Sequence, residues 1–160
     1  MVVSHCVCWC REISSKVPNG HLIFLSGKWI CDPHRIAKQK CLIYSIGSNG
    51  DVSFEQAIRE EVSKDCEIHT FDIDNPDGDF EAKLKQIGAK FHKVGLGSAR
   101  HVESDPKNFK TLKQIVKMLG HQRRTIEVFK IDCENVSEHV TSTRCASAFA
   151  VLTQYQSTAV

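Results

Sequence analysis

No run of apolar residues in this 160-residue chain approaches the roughly eighteen that a membrane-crossing helix needs. The amino terminus also lacks the basic-then-apolar order of a secretory signal, so the chain as written is expected to be soluble, with its compartment unassigned. An excess of either charge is missing too. The 21 Lys and Arg against 19 Asp and Glu leave a net charge of +2, too little for a nucleic-acid footprint without a basic stripe. The local basic groups, from Arg35 to Lys40 and at Arg123 and Arg124, read as solvated surface. What remains is one domain of ordinary size, expected to bury about 68–70% of its unfolded surface.

Cysteine is plentiful, at eight residues, but 41% apolar content is not the composition of a small disulfide scaffold. Cys31 and Cys41 are a possible pair in an oxidising compartment. The cluster His5, Cys6, Cys8 and Cys10, with Cys31 and His34, has zinc-ligand chemistry. Its alternate spacing suits one face of an extended segment rather than the tight turn of a structural zinc site, so no metal is assigned.

Residues 1–27 show no sustained period and carry a turn signal at Pro18, Asn19 and Gly20, which predicts an irregular leader outside the core. From there strands and helices alternate. Residues 42–46 read as a strand that runs into Gly47-Ser48-Asn49-Gly50. A helix follows, beginning at Asp51 or Ser53, with Phe54, Ala57, Ile58 and Val62 on one face and Glu55, Glu60 and Glu61 on the others. A second strand, 67–71, ends on Asp72 and leads into a turn at 74–78. A helix from Phe80 to Ile87 capped by Gly88, a strand over 89–94, a loop over 100–110, a helix from Leu112 to Leu119 and a strand over 126–131 complete the pattern. Four strands alternating with helices predict an α/β fold with a parallel sheet and right-handed crossovers.

Such sheets bind ligands beyond the carboxyl ends of their strands, and Gly47, Asp72, Gly95 and Asp132 all fall at such ends. Gly47 and Gly50 allow positive φ and a close backbone approach, while Asp72 can accept two hydrogen bonds from a ribose diol. The dinucleotide fingerprint requires a third glycine that this turn does not have. A nucleoside cofactor without a pyrophosphate, S-adenosylmethionine, suits the loop better than NAD. His69 and His92 lie within strands and read as packed or solvated rather than catalytic.

The strings from Cys41 to Gly50, Phe54-Glu55, Cys66 to Asp72, Gly95-Leu96-Gly97, Thr111 to Ile115 and Lys130-Ile131-Asp132-Cys133-Glu134 together resemble, in order, the methyltransferase-like domain family related to the FkbM-type methyltransferases. The resemblance covers residues 28–134. It implies a class I, Rossmann-like parallel sheet that binds S-adenosylmethionine, with Gly47, Ser48, Asn49 and Gly50 as the cofactor loop and Asp72 as the ribose-binding acid. It also implies that Lys130, Asp132 and Glu134 lie near the methyl acceptor, an oxygen nucleophile in many relatives. Asp132 is the first choice for a base and Glu134 the second. Two departures accompany the match. Ser45 stands where many relatives carry an acid, and residues 135–160 diverge from the family pattern, so that the last strands of the sheet are expected to be missing from this chain.

Overall fold

The computed structural model describes residues 10–13, 28–31, 33–36, 40–74, 78–132 and 155–156. Its first elements are an antiparallel pair, β1 (Cys10–Ile13) and β2 (Lys28–Cys31), and a helical turn, α1 (Pro33–Ile36). Next come β3 (Leu42–Ile46), α2 (Ser53–Ala57) prolonged by a π-helical turn over Ile58–Val62, β4 (Glu67–Asp72), α3 (Phe80–Gln86) and β5 (Lys90–Lys93). An excursion of β6 (Gly95–Leu96), α4 (Ala99–Ser104) and β7 (Phe109–Lys110) precedes α5 (Leu112–Met118), β8 (Thr125–Ile126) and β9 (Val128–Ile131). The last element, β10 (Tyr155–Gln156), pairs antiparallel with β8.

The centre is a four-stranded, all-parallel sheet in the order β5-β4-β3-β9. The chain steps outward from β3 to β4 to β5 and then returns to the other side of β3 as β9. Strand order therefore reverses at β3, and the loop after it opens at the switch point where α/β sheets bind ligands. Each face carries its own core. Ile43, Ile68 and Val128 pack with Phe54, Ala57, Ile58, Val62, Phe80 and Leu84 on one side. Leu42, Tyr44, Ile46, Phe71 and Phe129 pack with Ile115 and Val116 of α5 on the other. A strand covered on both faces reads as a nearly continuous apolar run, which is why all five residues of β3 are buried.

Two devices fix the first core at the amino ends of the strands. Cys41 and Cys66 form a disulfide with a Cα separation of 4.5 Å, both residues buried. By closing a loop of this length it stabilises the fold by about 3–4 kcal/mol in the chain-entropy account. The Arg59 guanidinium donates to the carbonyls of Lys64, Cys66, Ile87 and Gly88, tying the π-helical turn to the end of α3.

The structure corrects several expectations. Cys41 is bonded to Cys66, so the pairing with Cys31 does not occur. Residues 10–13, assigned to the irregular leader, form β1 against β2, while the remainder of the His5 to Cys10 cluster lies outside the described residues. The segment 100–110, read as a loop because it is polar and carries Pro106, contains most of α4 and all of β7. The Ser98 hydroxyl caps α4 by accepting from the His101 amide, and β7 pairs parallel with β6, two short elements that leave almost no apolar period. Helix α2 begins at Ser53, with Asp51 accepting from both the amide and the hydroxyl of Ser53.

On the α5 face, near the amino end of β4, lies a cluster of rings: His69, stacked on His92 and edge-on to His121, with Tyr44 and Phe71 beside them. Glu67 receives Arg124, Lys90 and His69, and is held well below the usual carboxylate range chiefly by the Arg124 and Lys90 hydrogen bonds. Burial lowers the pKa of His69 to about 4, with the His92 and His121 rings adding to the shift against the pull of Glu67. Burial also lowers His92 and His121, each with a contribution from a nearby cation. On acidification the unfolded chain takes up the His69 proton first, at its ordinary value of about 6.5. The stabilisation is therefore full above that value and lost progressively toward pH 4. We expect urea denaturation to report a stability about 2 kcal/mol lower at pH 5 than at pH 7 from His69 alone. A stability that is flat across this range would contradict the burial of a neutral imidazole here.

Candidate functional site

The loop after β3 is shaped by backbone conformations that few residues adopt. Gly47, Asn49 and Gly50 all have positive φ, at 72°, 48° and 81°. Asn tolerates this region better than most side chains do. At Gly47 space matters as much as φ: a Cβ there would meet the Asp132 carbonyl oxygen at 2.1 Å. The Gly47 amide donates to the Phe71 carbonyl at 2.9 Å, and the Asp132 amide donates to the Ile46 carbonyl at 2.8 Å. The bend is thus wedged between the carboxyl ends of β4 and β9.

Asp72 clasps the same bend. Its Oδ2 accepts from the Ser48 amide at 2.8 Å, the Asn49 amide at 3.0 Å and the Ser48 hydroxyl at 3.3 Å, while Oδ1 accepts from the Asp74 amide. Burial acts to raise its pKa, but these donors outweigh burial and hold the carboxyl below its ordinary value. Asp72 is therefore ionised at neutral pH.

On the other side stands Lys130, whose ammonium is 4% exposed for the residue as a whole and donates to the Gly47 carbonyl at 2.7 Å. Asp132 Oδ2 lies 3.8 Å from the same ammonium, and the Phe54 ring centroid lies 5.5 Å from it. The sequence leaves Lys130 either orienting an acceptor or solvated on the surface. Its burial rules out the solvated alternative, and its hydrogen bond shows it holding the loop.

Lys130 belongs to a polar row inside an otherwise apolar sheet. Thr70, Ser45 and Lys130 are direct cross-strand partners on β4, β3 and β9, and all three are buried. Glu55 of α2 covers this row at 0% exposure, accepting from the Thr70 hydroxyl at 3.1 Å. Burial raises the Glu55 pKa against the attraction of Lys130. Its Oε2 and the Ser45 hydroxyl have no hydrogen-bond partner of standard geometry among the described residues.

This placement corrects the assignment of Glu55 to an outer face of its helix. The first turn of α2 lies over both the sheet and the loop, so adjacent residues Phe54 and Glu55 are both buried. Helical periodicity alone did not reveal it. The available signal was Ser45 in β3 and Lys130 in β9, single polar breaks in apolar strands, which line up with Thr70 of β4 when the strands pair in register.

Among the sequence-derived candidates, Gly47, Ser48, Asn49, Gly50, Asp72, Lys130 and Asp132 meet at the carboxyl end of the sheet, and Gly95 packs against Ile73 at the adjoining edge. Glu134 lies outside the described residues.

The wedge at Gly47 makes substitution costly twice over, through left-handed backbone strain and through collision with main chain that cannot rotate away. Gly47→Ala should destabilise the fold by on the order of 3 kcal/mol in denaturant melts. A loss below about 0.5 kcal/mol would mean that the bend has room the structure does not show.

Comparison with known proteins agrees with this architecture. A family model described as a methyltransferase domain matches residues 19–143, a span that includes the whole parallel sheet and the glycine loop. No curated protein and no solved structure matches the chain. The match extends over most of the sequence and the fold is of the Rossmann-like α/β type, so the chain belongs to this methyltransferase domain family.

Proposed function

We propose that the chain binds S-adenosylmethionine over the Gly47 to Gly50 bend and directs methyl transfer to an oxygen of an acceptor whose identity is open. The observation that carries this reading is the direct clasp of the glycine loop by Asp72 at the switch point of a parallel sheet. The donor set fits a nucleoside. Asp72 is ionised, and its Oδ1 accepts only the Asp74 amide among its described contacts, leaving acceptor capacity for a ribose hydroxyl. Close backbone approach at Gly47 and Gly50 suits a ligand that lies on the main chain.

When bound, the cofactor supplies an electrophilic sulfonium methyl. The chain's own contribution is alignment and exclusion of water, which provide much of the rate in such transfers. Asp132, 27% exposed in its side chain and at the end of β9, is the first choice to accept the acceptor's hydroxyl proton, with Glu134 second. Lys130 positions the loop through the Gly47 carbonyl and holds its ammonium 3.8 Å from Asp132 Oδ2. The family membership supports transfer of a methyl group. The choice of oxygen rests on the resemblance of residues 130–134 to the FkbM-type pattern.

Calorimetric titration with S-adenosylhomocysteine and, separately, NAD tests the cofactor choice. One equivalent of S-adenosylhomocysteine should bind, Asp72→Ala should weaken it by about tenfold or more, and NAD should not compete. Binding of NAD in preference would overturn the assignment. Binding of S-adenosylhomocysteine without turnover on any acceptor would instead identify a cofactor-binding module.

A further inference from the structure

Glu67, His69 and His121 bring one carboxylate oxygen and two imidazole nitrogens within 4.8 Å of one another, at the opposite end of the sheet from the cofactor loop. Glu67 and His69 alternate on one face of β4, and His121 follows α5 on the turn that leads back to the sheet. Glu67 opens β4 and Asp72 closes it, so about 16 Å of strand separates this cluster from the candidate crevice. The first core, the disulfide and the proposed methyl-transfer site make no use of the cluster.

We propose that this cluster is a zinc site of the open type, with Glu67, His69 and His121 as ligands and a water in the fourth position. Two imidazoles and a carboxylate are a recognised zinc donor set, and a tetrahedral site of this kind has ligand atoms about 3.3 Å apart. His69 Nε2 and Glu67 Oε1 are already 3.1 Å apart.

The surroundings of the two rings carry the argument further. Zinc ligands of this type have their second ring nitrogen fixed by an outer partner, which orients the imidazole. His69 Nδ1 lies 2.8 Å from His92 Nε2, and His121 Nδ1 lies 2.8 Å from the Tyr44 hydroxyl. Both partners fix the rings with the remaining nitrogen turned toward the shared point. Coordination at Nε2 requires the Nδ1–H tautomer of each ring, for which His92 and Tyr44 are the acceptors. His69 is 2% and His121 6% exposed, so the two imidazoles are sheltered from bulk water while Glu67 sits at the half-buried rim.

A cation already occupies this position. The Arg124 guanidinium bonds to Glu67 Oε2, and the same Nη1 lies 3.5 Å from His121 Nε2. Lys90 reaches Glu67 Oε1 from the exposed side at 2.7 Å. Both side chains are long, 36% and 61% exposed, and can turn into solvent when a divalent ion takes over the carboxylate. Zinc would then join β4 to the connection after α5 by coordinate bonds in place of a guanidinium ion pair.

Arg124 gives the test its direction. The full chain, stripped with a chelator, is titrated with zinc chloride in the presence of a competing indicator, beside magnesium chloride. One equivalent of zinc should bind and raise the melting temperature, and magnesium should do neither. His121→Gln should weaken zinc by about tenfold or more, and Arg124→Gln should strengthen it by removing the competing cation. A purely structural ion-pair network would give the opposite result for Arg124→Gln, which would lose stability without gaining zinc. Absence of zinc binding, zinc affinity unaffected by His121→Gln, or weaker zinc binding in Arg124→Gln would each overturn the proposal. Should His121→Gln fail to fold, Arg124→Gln decides the question alone.

Discussion

The buried ammonium of Lys130 on the Gly47 carbonyl is the constraint around which the candidate site is arranged. It joins the returning strand β9 to the loop that leaves β3, across the one place in the sheet where strand order reverses. A charged group so far from water needs compensation, and the surroundings provide it: the carbonyl in front, Asp132 alongside, and the Glu55 carboxyl close enough to attract it. Asp72 holds the same bend from the β4 side through two amides and a hydroxyl. The glycine at the bend is then obligatory, because the main chain of β9 fills the space that a side chain would need.

The polar row beneath the loop explains how a hydrophobic sheet can carry this arrangement. Thr70, Ser45 and Lys130 occupy one register line, with apolar residues Ile68, Ile43 and Val128 two positions earlier on the same face. The transition from apolar to polar takes place within the last residues of each strand. Glu55 closes the row from above. Burial favours its neutral form and the ammonium favours its ionised form, so the two opposing effects meet in one residue.

Much of this was legible in the sequence, for identifiable reasons. β3, β4, α3, α5 and β9 have strong apolar periods with glycine stops at Gly88 and Gly120, and they fall within a residue or two of where they were expected. The meeting of Gly47 with Asp72 followed from topology, since parallel strands deliver their carboxyl ends to one edge. The excursion from Gly95 to Lys110 was not legible, because two-residue strands and a helix without buried residues leave no period to read. Nor was Cys66 as the partner of Cys41, a pairing that depends on the register of β3 against β4. The inward turn of Glu55 and the histidine cluster were hidden similarly: each gathers residues more than ten positions apart, which no local pattern connects.

The central claim is that Lys130 and Asp72 together hold the glycine bend in its binding shape, and backbone amide hydrogen exchange at Ser48 and Asn49 tests it most directly. Both amides donate to Asp72. They should exchange slowly in the wild-type chain and about tenfold or more faster in Lys130→Met, as expected for loss of a hydrogen bond to a charged group. Exchange at Ser48 and Asn49 that is equally slow with and without the ammonium would contradict the account.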